Sequence, residues 1–517
     1  MQRSGGGLLK LFTLTAVVLA AGAVAACAVA PAGEPTGSAR PTAPTAPIRL
    51  MFLGDVMLGR GVGVVAAADP ASIFEQLRPV LLDADLALAN LESPLTLRPH
   101  RAAGFALEAD PAAAPLLASA GIDVVGLANN HAMDAGPSTV ADTVAAVAAA
   151  GVLVVGAGED QRAAAAPLMV RLGGILVGIL AFDLSGGAGA GVSSPGVNTW
   201  EPVAAQRAVA NLRAAADVVV VGLHGGVEYL GRPDPVLERV VAQLGSWGAD
   251  VVWGHGAHVP YPVNIATSTG TRSAVLAPGL GNALFDQRLP GTDTGALLEV
   301  LVDRSGVLAM RTGQVSITAG RTAFSGWEQP EGDAVALGAD WWSPVRSVVE
   351  QPATSCEALD EASIIGSLPE GSIVSGFGCG AVTGTEADAA TGADLEMVVA
   401  YRRPATAELL QRAFPGHQWV DHDGMTAHLA VMAADGTMRW GAATLLDPIS
   451  TVAACSGSLA LGFTSLDDPT LTGAGAWTWH GFGFRTAPVL TGPASIGCVD
   501  VDNDGMTEPL VRRASEI

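Results

Sequence analysis

The chain has 517 residues, 49% hydrophobic and 15% charged, enough apolar material for two or three folded domains and too much for a disordered chain. Its 50 Asp and Glu outnumber its 27 Lys and Arg, for a net charge of −23. That balance argues against nucleic acid as a partner, since affinity there comes from cations neutralising phosphate. It would also repel a polyanion unless a bound cation reversed the field locally.

Arg3 and Lys10 precede an apolar run over residues 11–26, and Cys27 follows at once. Val24-Ala25-Ala26-Cys27 fits a bacterial lipobox, so residues 1–27 are read as a lipoprotein signal peptide with Cys27 as the lipidated residue. Residues 28–47, rich in Pro, Ala and Thr, form a linker; such segments extend ~3.1 Å per residue. The expectation is an exported protein, lipid-anchored to the outer face of the cell membrane.

Residues 48–320 alternate short β-branched apolar runs with helical stretches, the pattern of an α/β domain whose sheets are buried on both faces. Strands are expected within 49–55, 84–92, 122–131, 151–158, 175–183, 217–226, 249–256 and 274–282. Pro137-Ser138-Thr139 opens a helix with an apolar face through Val140, Val144 and Val147, closed by Gly151. Residues 204–216 and 235–247 read as further helices.

Polar residues recur where the apolar runs stop: Asp55, Asn90, Glu92, Asn129, Asn130, His131, His224, His255 and His258. In α/β sheets the carboxyl ends of strands converge on one crevice, where ligands bind. Imidazole, carboxylate and amide oxygen together suit one divalent transition metal or a pair.

The motifs GDVMLGR (54–60), NLESPL (90–95), LANNHAMDAG (127–136), LHGGVEY (223–229), GHGAHV (254–259) and GLGN (279–282) resemble, in order, those of the CapA family of poly-γ-glutamate capsule synthesis proteins. The resemblance covers about 50–300, just over half the chain. It implies a calcineurin-like metallophosphoesterase sandwich, two β-sheets flanked by helices. It also implies one or two ions of Mn, Fe or Zn held by Asp55, Glu92, Asn130, His224, His255 and His258, with His131 protonating a leaving group. Met57 stands where these phosphoesterases carry a histidine, so one ligand is missing, and the HxxH spacing leaves open which of His255 and His258 points inward. The implied role is in synthesis, export or anchoring of poly-γ-glutamate or a related anionic envelope polymer, with that polymer or its synthase complex as partner. A catalytically silent assembly or retention factor is the alternative, and a surface phosphatase or nucleotidase a third.

Around this set, Arg60 is expected to pair with a carboxylate or phosphate, Asn90 to flank the ligands, and Glu228 and Tyr229 to orient His224 or touch substrate. Asp134 is expected to cap the following helix, and Asp183 ends a strand without a partner motif. Gly156 and Gly158 read as a turn, since no GxGxxG completes a phosphate loop.

Residues 321–350 read as a connector and 351–517 as a β-rich domain similar to FG-GAP or VCBS repeats. Its four cysteines allow three pairings; Cys356–Cys379 and Cys455–Cys498 close the shorter loops and are preferred, in a compartment that permits disulfides. Asp500, Asp502, Asp504 and Glu508 have the spacing of a Ca²⁺ loop, without the EF-hand's position-12 Glu, and Asp421-His422-Asp423-Gly424 and 388–396 read as decayed copies. Trp419, Trp440, Trp477 and Trp479 read as core more readily than as a glycan platform.

Overall fold

The computed structural model describes residues 46–513 apart from 103, 268–271, 331, 338–339, 346–349, 352–355, 357–358, 384–394, 408–419, 422, 442–444, 446, 466–469, 481–483, 488–489 and 503–505. The signal peptide, Cys27 and nearly all of the linker lie outside the described residues, as do 388–394, Trp419, His422 and Asp504. No helix among the described residues is long and apolar enough to cross a membrane. The chain divides into two compact units, Met1–Val307 with Thr312–Gly326, and Leu308–Arg311 with Trp327–Ile517.

The first unit is a two-sheet α/β sandwich. Strands β1 (Ile48–Val56), β2 (Leu86–Leu91), β3 (Val124–Gly126) and β4 (Leu153–Val155) run parallel in one sheet. The second sheet contains β5 (Leu168–Leu172), β6 (Ile175–Asp183), β7 (Val218–His224), β8 (Val251–His255), β9 (Asn264–Thr267) and β10 (Ser273–Ala277), in the order β9-β10-β8-β7-β6-β5. Its central strands β6, β7, β8 and β10 are parallel. The chain then returns to the first sheet: β11 (Asn282–Leu284) pairs parallel with the end of β1, and β12 (Thr294–Asp303) pairs antiparallel with its start.

The apolar runs behave as strands buried on both faces. Every residue of β7 is buried; Val219, Val221 and Leu223 meet the helices Pro202–Ala215 and Pro235–Ser246 through Val209, Leu212, Leu237, Val240 and Leu244. Each such side chain contributes roughly 1.5–3 kcal/mol on burial. Both helices start on an acidic cap, Glu201 accepting from the Ala204 amide at 2.7 Å and Asp234 from Val236 at 2.9 Å. Between the sheets lies Trp253, wholly buried, whose indole N–H donates to the Leu53 carbonyl at 2.6 Å. Gly54 is required where β1 meets the 279–282 turn, since a Cβ there would stand 1.8 Å from the Gly281 carbonyl oxygen.

The helix Ser138–Ala149 buries Thr139, Val140, Thr143 and Val147; Val144 is only half-buried, so the helix presents a more polar face than expected. Its cap position is Pro137, without a side-chain cap, so Asp134 does not cap it.

In the second unit the described residues are mainly strands, with one short helix, Glu361–Gly366. Strands Ile373–Gly380, Glu396–Pro404, Met425–Met432 and Met438–Gly441 form one antiparallel sheet; Ile449–Cys455, Ser458–Thr464, Thr472–Trp479 and Phe484–Thr486 form another. The 321–350 segment, within which the chain passes from the first unit to the second after Gly326, carries the strands Arg321–Trp327, Asp333–Leu337 and Asp340–Pro344, with Trp342 wholly buried. Cys356 is bonded to Cys379 and Cys455 to Cys498, with Cα separations of 5.6 and 5.5 Å. Trp440 and Trp477 pack with Phe484 against buried Leu459 and Leu461, as core residues do. Asp421 is held by Arg402 at 2.7 Å and by the amides of Asp423 and Met425, so its carboxylate serves a turn. Asp500 and Asp502 follow the strand Ala494–Val499, and Glu508 opens the next strand, Glu508–Arg513, where it pairs with Val499 and its Oε2 accepts from the Val501 amide at 3.0 Å.

Candidate metal centre

Parallel register aligns the strand ends. Asp55 on β1 lies beside Asn90 on β2 and Asn282 on β11, while Asp183, His224 and His255 stand side by side at the ends of β6, β7 and β8. Residues far apart in sequence thus meet in one buried cluster: Asp55, Asn90, Glu92, His224, His255 and His258 are all nearly inaccessible.

Asp55 is its centre. Ligand atoms of Asp55, His224 and His255 lie within 4.8 Å of one another, and so do those of Asp55, Glu92 and His258. Asn90 donates to Asp55 Oδ1 at 2.8 Å, the Gly256 amide donates to Oδ2 at 3.0 Å, and His258 Nδ1 stands 3.2 Å from Oδ2. Both HxxH histidines therefore face inward, one in each group. Gly256 is at φ 101°, a left-handed turn that folds the segment back toward Asp55.

Hydrogen bonds restrict which nitrogens are available. His224 Nε2 contacts Asn130 Oδ1 at 2.9 Å, so that nitrogen carries the proton and Nδ1 keeps a lone pair. That Nδ1 faces His255 Nδ1 at 3.0 Å. His255 Nε2 and Glu92 Oε2 are buried with no hydrogen-bond partner, an arrangement that costs about 1–3 kcal/mol per orphaned group unless something fills it. Neutral imidazole lone pairs, two carboxylates and orphaned acceptor atoms fit a divalent cation.

The electrostatics agree. Burial pushes His224 down to about 4 against the pull of Asp55, and burial together with His224 pushes His255 down to about 3. Burial opposes charge on Asp55, but His258, with His224 and His255, holds its carboxyl below the usual carboxylate range. Glu92 is driven well above its usual value, first by burial and then by Asp55. His258 is raised to about 10, because Glu92 and Asp55 outweigh its own burial.

His131 stands at the edge, part-exposed, with Nε2 3.8 Å from Glu92 Oε1. Asp134 Oδ2 holds its Nδ1 at 2.8 Å, so Asp134 orients this imidazole, contrary to the expected helix cap. Asn129 ties the segment down, accepting from the His131 amide at 3.1 Å and donating to Leu91 O at 3.0 Å.

Arg60 pairs with a carboxylate, that of Asp286, at 2.8 Å, and lies over Phe105. One flanking expectation is corrected. Tyr229 stacks on His258 and not on His224, with ring centroids 5.7 Å apart and planes 24° apart. Glu228 is exposed beside it, and its charge helps burial raise the Tyr229 phenol to about 12. Met57 is wholly buried and brings no nitrogen to the cluster. Asn282, which holds His258 Nδ1 at 3.0 Å, was present in sequence as the last residue of GLGN.

Fold and site define a metallophosphoesterase-like α/β domain of the capsule synthesis class: the family model "Bacterial capsule synthesis protein PGA_cap" matches residues 49–287. The chain is 30% identical over 274 residues to the PGA biosynthesis protein CapA of Bacillus subtilis (strain 168), covering 52% of this chain and 70% of that protein. It is 28% identical over 264 residues to the capsule biosynthesis protein CapA of Bacillus anthracis, covering 49% and 63% respectively. It is 34% identical over 200 residues to a probable polyglutamine synthesis accessory protein of Mycobacterium tuberculosis (strain ATCC 25618 / H37Rv), covering 35% and 52%. The chain belongs to the CapA family.

Proposed function

We propose that this protein is an exported, lipid-anchored CapA-type factor that uses a divalent-cation site in making, exporting or anchoring poly-γ-glutamate or a related envelope polymer. The observation that carries this reading is the sharing of Asp55 between two groups of ligand atoms in a cluster that also contains orphaned acceptors. Asp55, Glu92, His224, His255 and His258 would hold the cation, with Asn130 fixing His224. Bound there, the cation would supply Lewis acidity toward a phosphoester or similar electrophile, and a local positive field that admits an anionic substrate to a chain of net charge −23.

The chain's own groups supply the rest. Asp134 orients His131 so that Nε2 faces the cluster, where it is placed to pass a proton to a leaving oxygen. The closely packed strand ends keep water from all but the outer edge. The second unit, stapled by two disulfides, is read as a polymer- or partner-binding module with a Ca²⁺ loop at Asp500, Asp502, Asp504 and Glu508.

The test is the metal content of the purified full chain, followed by turnover of an aryl phosphate by wild type and His131→Ala. Bound metal with turnover that His131→Ala abolishes supports the hydrolytic reading. Metal without turnover on any phosphoester or amide polymer supports the second reading, an assembly factor on the same fold. The observation favouring that alternative is Met57, buried at the place where a further ligand would stand.

A further inference from the structure

Among the described residues, four non-glycine positions have positive φ, including Tyr229 at 62° and His258 at 63°. Such conformations cost of order 1–3 kcal/mol each and persist where surrounding contacts enforce them. Here the contacts form a closed circuit. The Tyr229 amide donates to the Ala257 carbonyl at 2.9 Å, fixing its loop against the segment that bears His258. The phenol ring lies over the imidazole, and Phe285 meets that imidazole edge-on at 5.1 Å. His258 Nδ1 is held at 3.0 Å by Asn282 Oδ1. Asn282 Nδ2 donates to Gln287 Oε1 at 2.9 Å, and Gln287 Nε2 donates to the Tyr229 hydroxyl at 3.1 Å.

We propose that Tyr229 and Gln287 form a clamp that fixes the His258 imidazole with Nδ1 committed to Asn282 and Asp55, so that Nε2 alone is presented to the cation. Tyr229 is thus a positioning residue that acts through His258. The Asn282 oxygen accepts at Nδ1 because its own amide is spoken for twice, by Gln287 and by the Thr292 carbonyl at 2.9 Å. Gln287 orients that amide, and the phenol in turn orients Gln287. Nε2 is left pointing toward Glu92 Oε1, 3.7 Å away. Partners that orient metal-bound histidines in this way are typically worth about 10–100-fold in affinity.

The inference rests on the metal-site reading, and its experiment separates the two. Tyr229→Phe keeps the stacked ring and removes the hydroxyl's links to Gln287 and Glu228, of which only the first belongs to the circuit; Gln287→Leu breaks the circuit at two points. Each full-length variant, checked for folding by circular dichroism, is titrated with Mn²⁺ by calorimetry and with Co²⁺ by visible absorption. The expected result is about a 10-fold weaker Kd in each and an altered Co²⁺ d–d spectrum. In the metal-free protein, nitrogen–proton correlation spectra should contain a solvent-protected Nδ1–H signal for His258 that both variants lose. Wild-type affinity, spectrum and Nδ1–H signal in both variants would overturn the clamp. If wild type takes up neither ion, the cation site itself is refuted, and the clamp on the imidazole then stands or falls with the Nδ1–H signal.

Discussion

His224 and His255 end adjacent parallel strands in the same register, with their Nδ1 atoms 3.0 Å apart. With His224 protonated at Nε2, a neutral His255 protonated at Nδ1 donates across this contact, which leaves its unpartnered Nε2 as a buried lone pair. A cation would engage that nitrogen and the orphaned Glu92 oxygen at the same time. Added Mn²⁺ should therefore stabilise the first unit, by about 2.7 kcal/mol at 100 times Kd. Scanning calorimetry with and without chelator measures this. His224→Ala should remove most of the ion-dependent rise in Tm, and an undiminished rise would place the ion elsewhere.

Asp134 should matter through His131 alone. If the site turns over phosphoesters, His131→Ala should lower kcat about 10²–10⁴-fold, the usual worth of a positioned acid. Asp134→Asn, which retains a hydrogen-bonding group at Nδ1 but not the charge, should lower it less and leave Mn²⁺ binding intact. Steady-state kinetics paired with metal titration checks both. Equal loss of metal from both variants would contradict this division of roles.

Trp253 couples the two sheets of the first unit by packing and by its bond to Leu53 O. Trp253→Phe leaves a smaller ring and a buried carbonyl without its donor. The expected cost is about 2–4 kcal/mol, from the lost hydrogen bond and the space left behind. It should appear as a lowered first-unit transition in calorimetry, with the second-unit transition unchanged.

Acid should unmask Asp421. Burial opposes its ionisation, but the Met425 and Asp423 amides and Arg402 hold its carboxyl below the normal 3.8. A depressed carboxylate stabilises the fold fully above the unfolded value and loses that contribution as pH falls through the folded one. Asp421→Asn should thus lower the second unit's Tm at pH 7, by the equivalent of about 1–2 kcal/mol, and progressively less as pH falls below 3.8 through the folded value. A gap that stays constant across this range would mean that the charge is not what matters.

The cluster was legible because strands buried on both faces are almost wholly apolar, so a polar residue at their ends stands out: Asp55, Asn90, His224 and His255 announced themselves in this way. Residues whose role depends on a turn were harder to read. Asp134 precedes a helix by four residues and invites a capping reading, but Pro137 takes the cap position and the carboxylate turns back to His131. Tyr229 follows His224 in sequence yet serves His258, because its positive φ swings the ring across the loop. Gln287 lies outside every motif and acquires its role only when the β11 turn brings it to Asn282. The Gly- and Pro-punctuated 321–350 stretch resembles a tether in composition, and only cross-strand pairing such as that of Val335 with Trp342 reveals strands.

The most direct test of a cation at Asp55 is an anomalous difference map from crystals of the full chain grown with Mn²⁺, recorded on either side of the metal edge. One or two peaks within bonding distance of Asp55, flanked by His224 and His255 or by Glu92 and His258, is the predicted result. A map without a peak at Asp55, in a protein whose strand ends are arranged as described, would contradict the account.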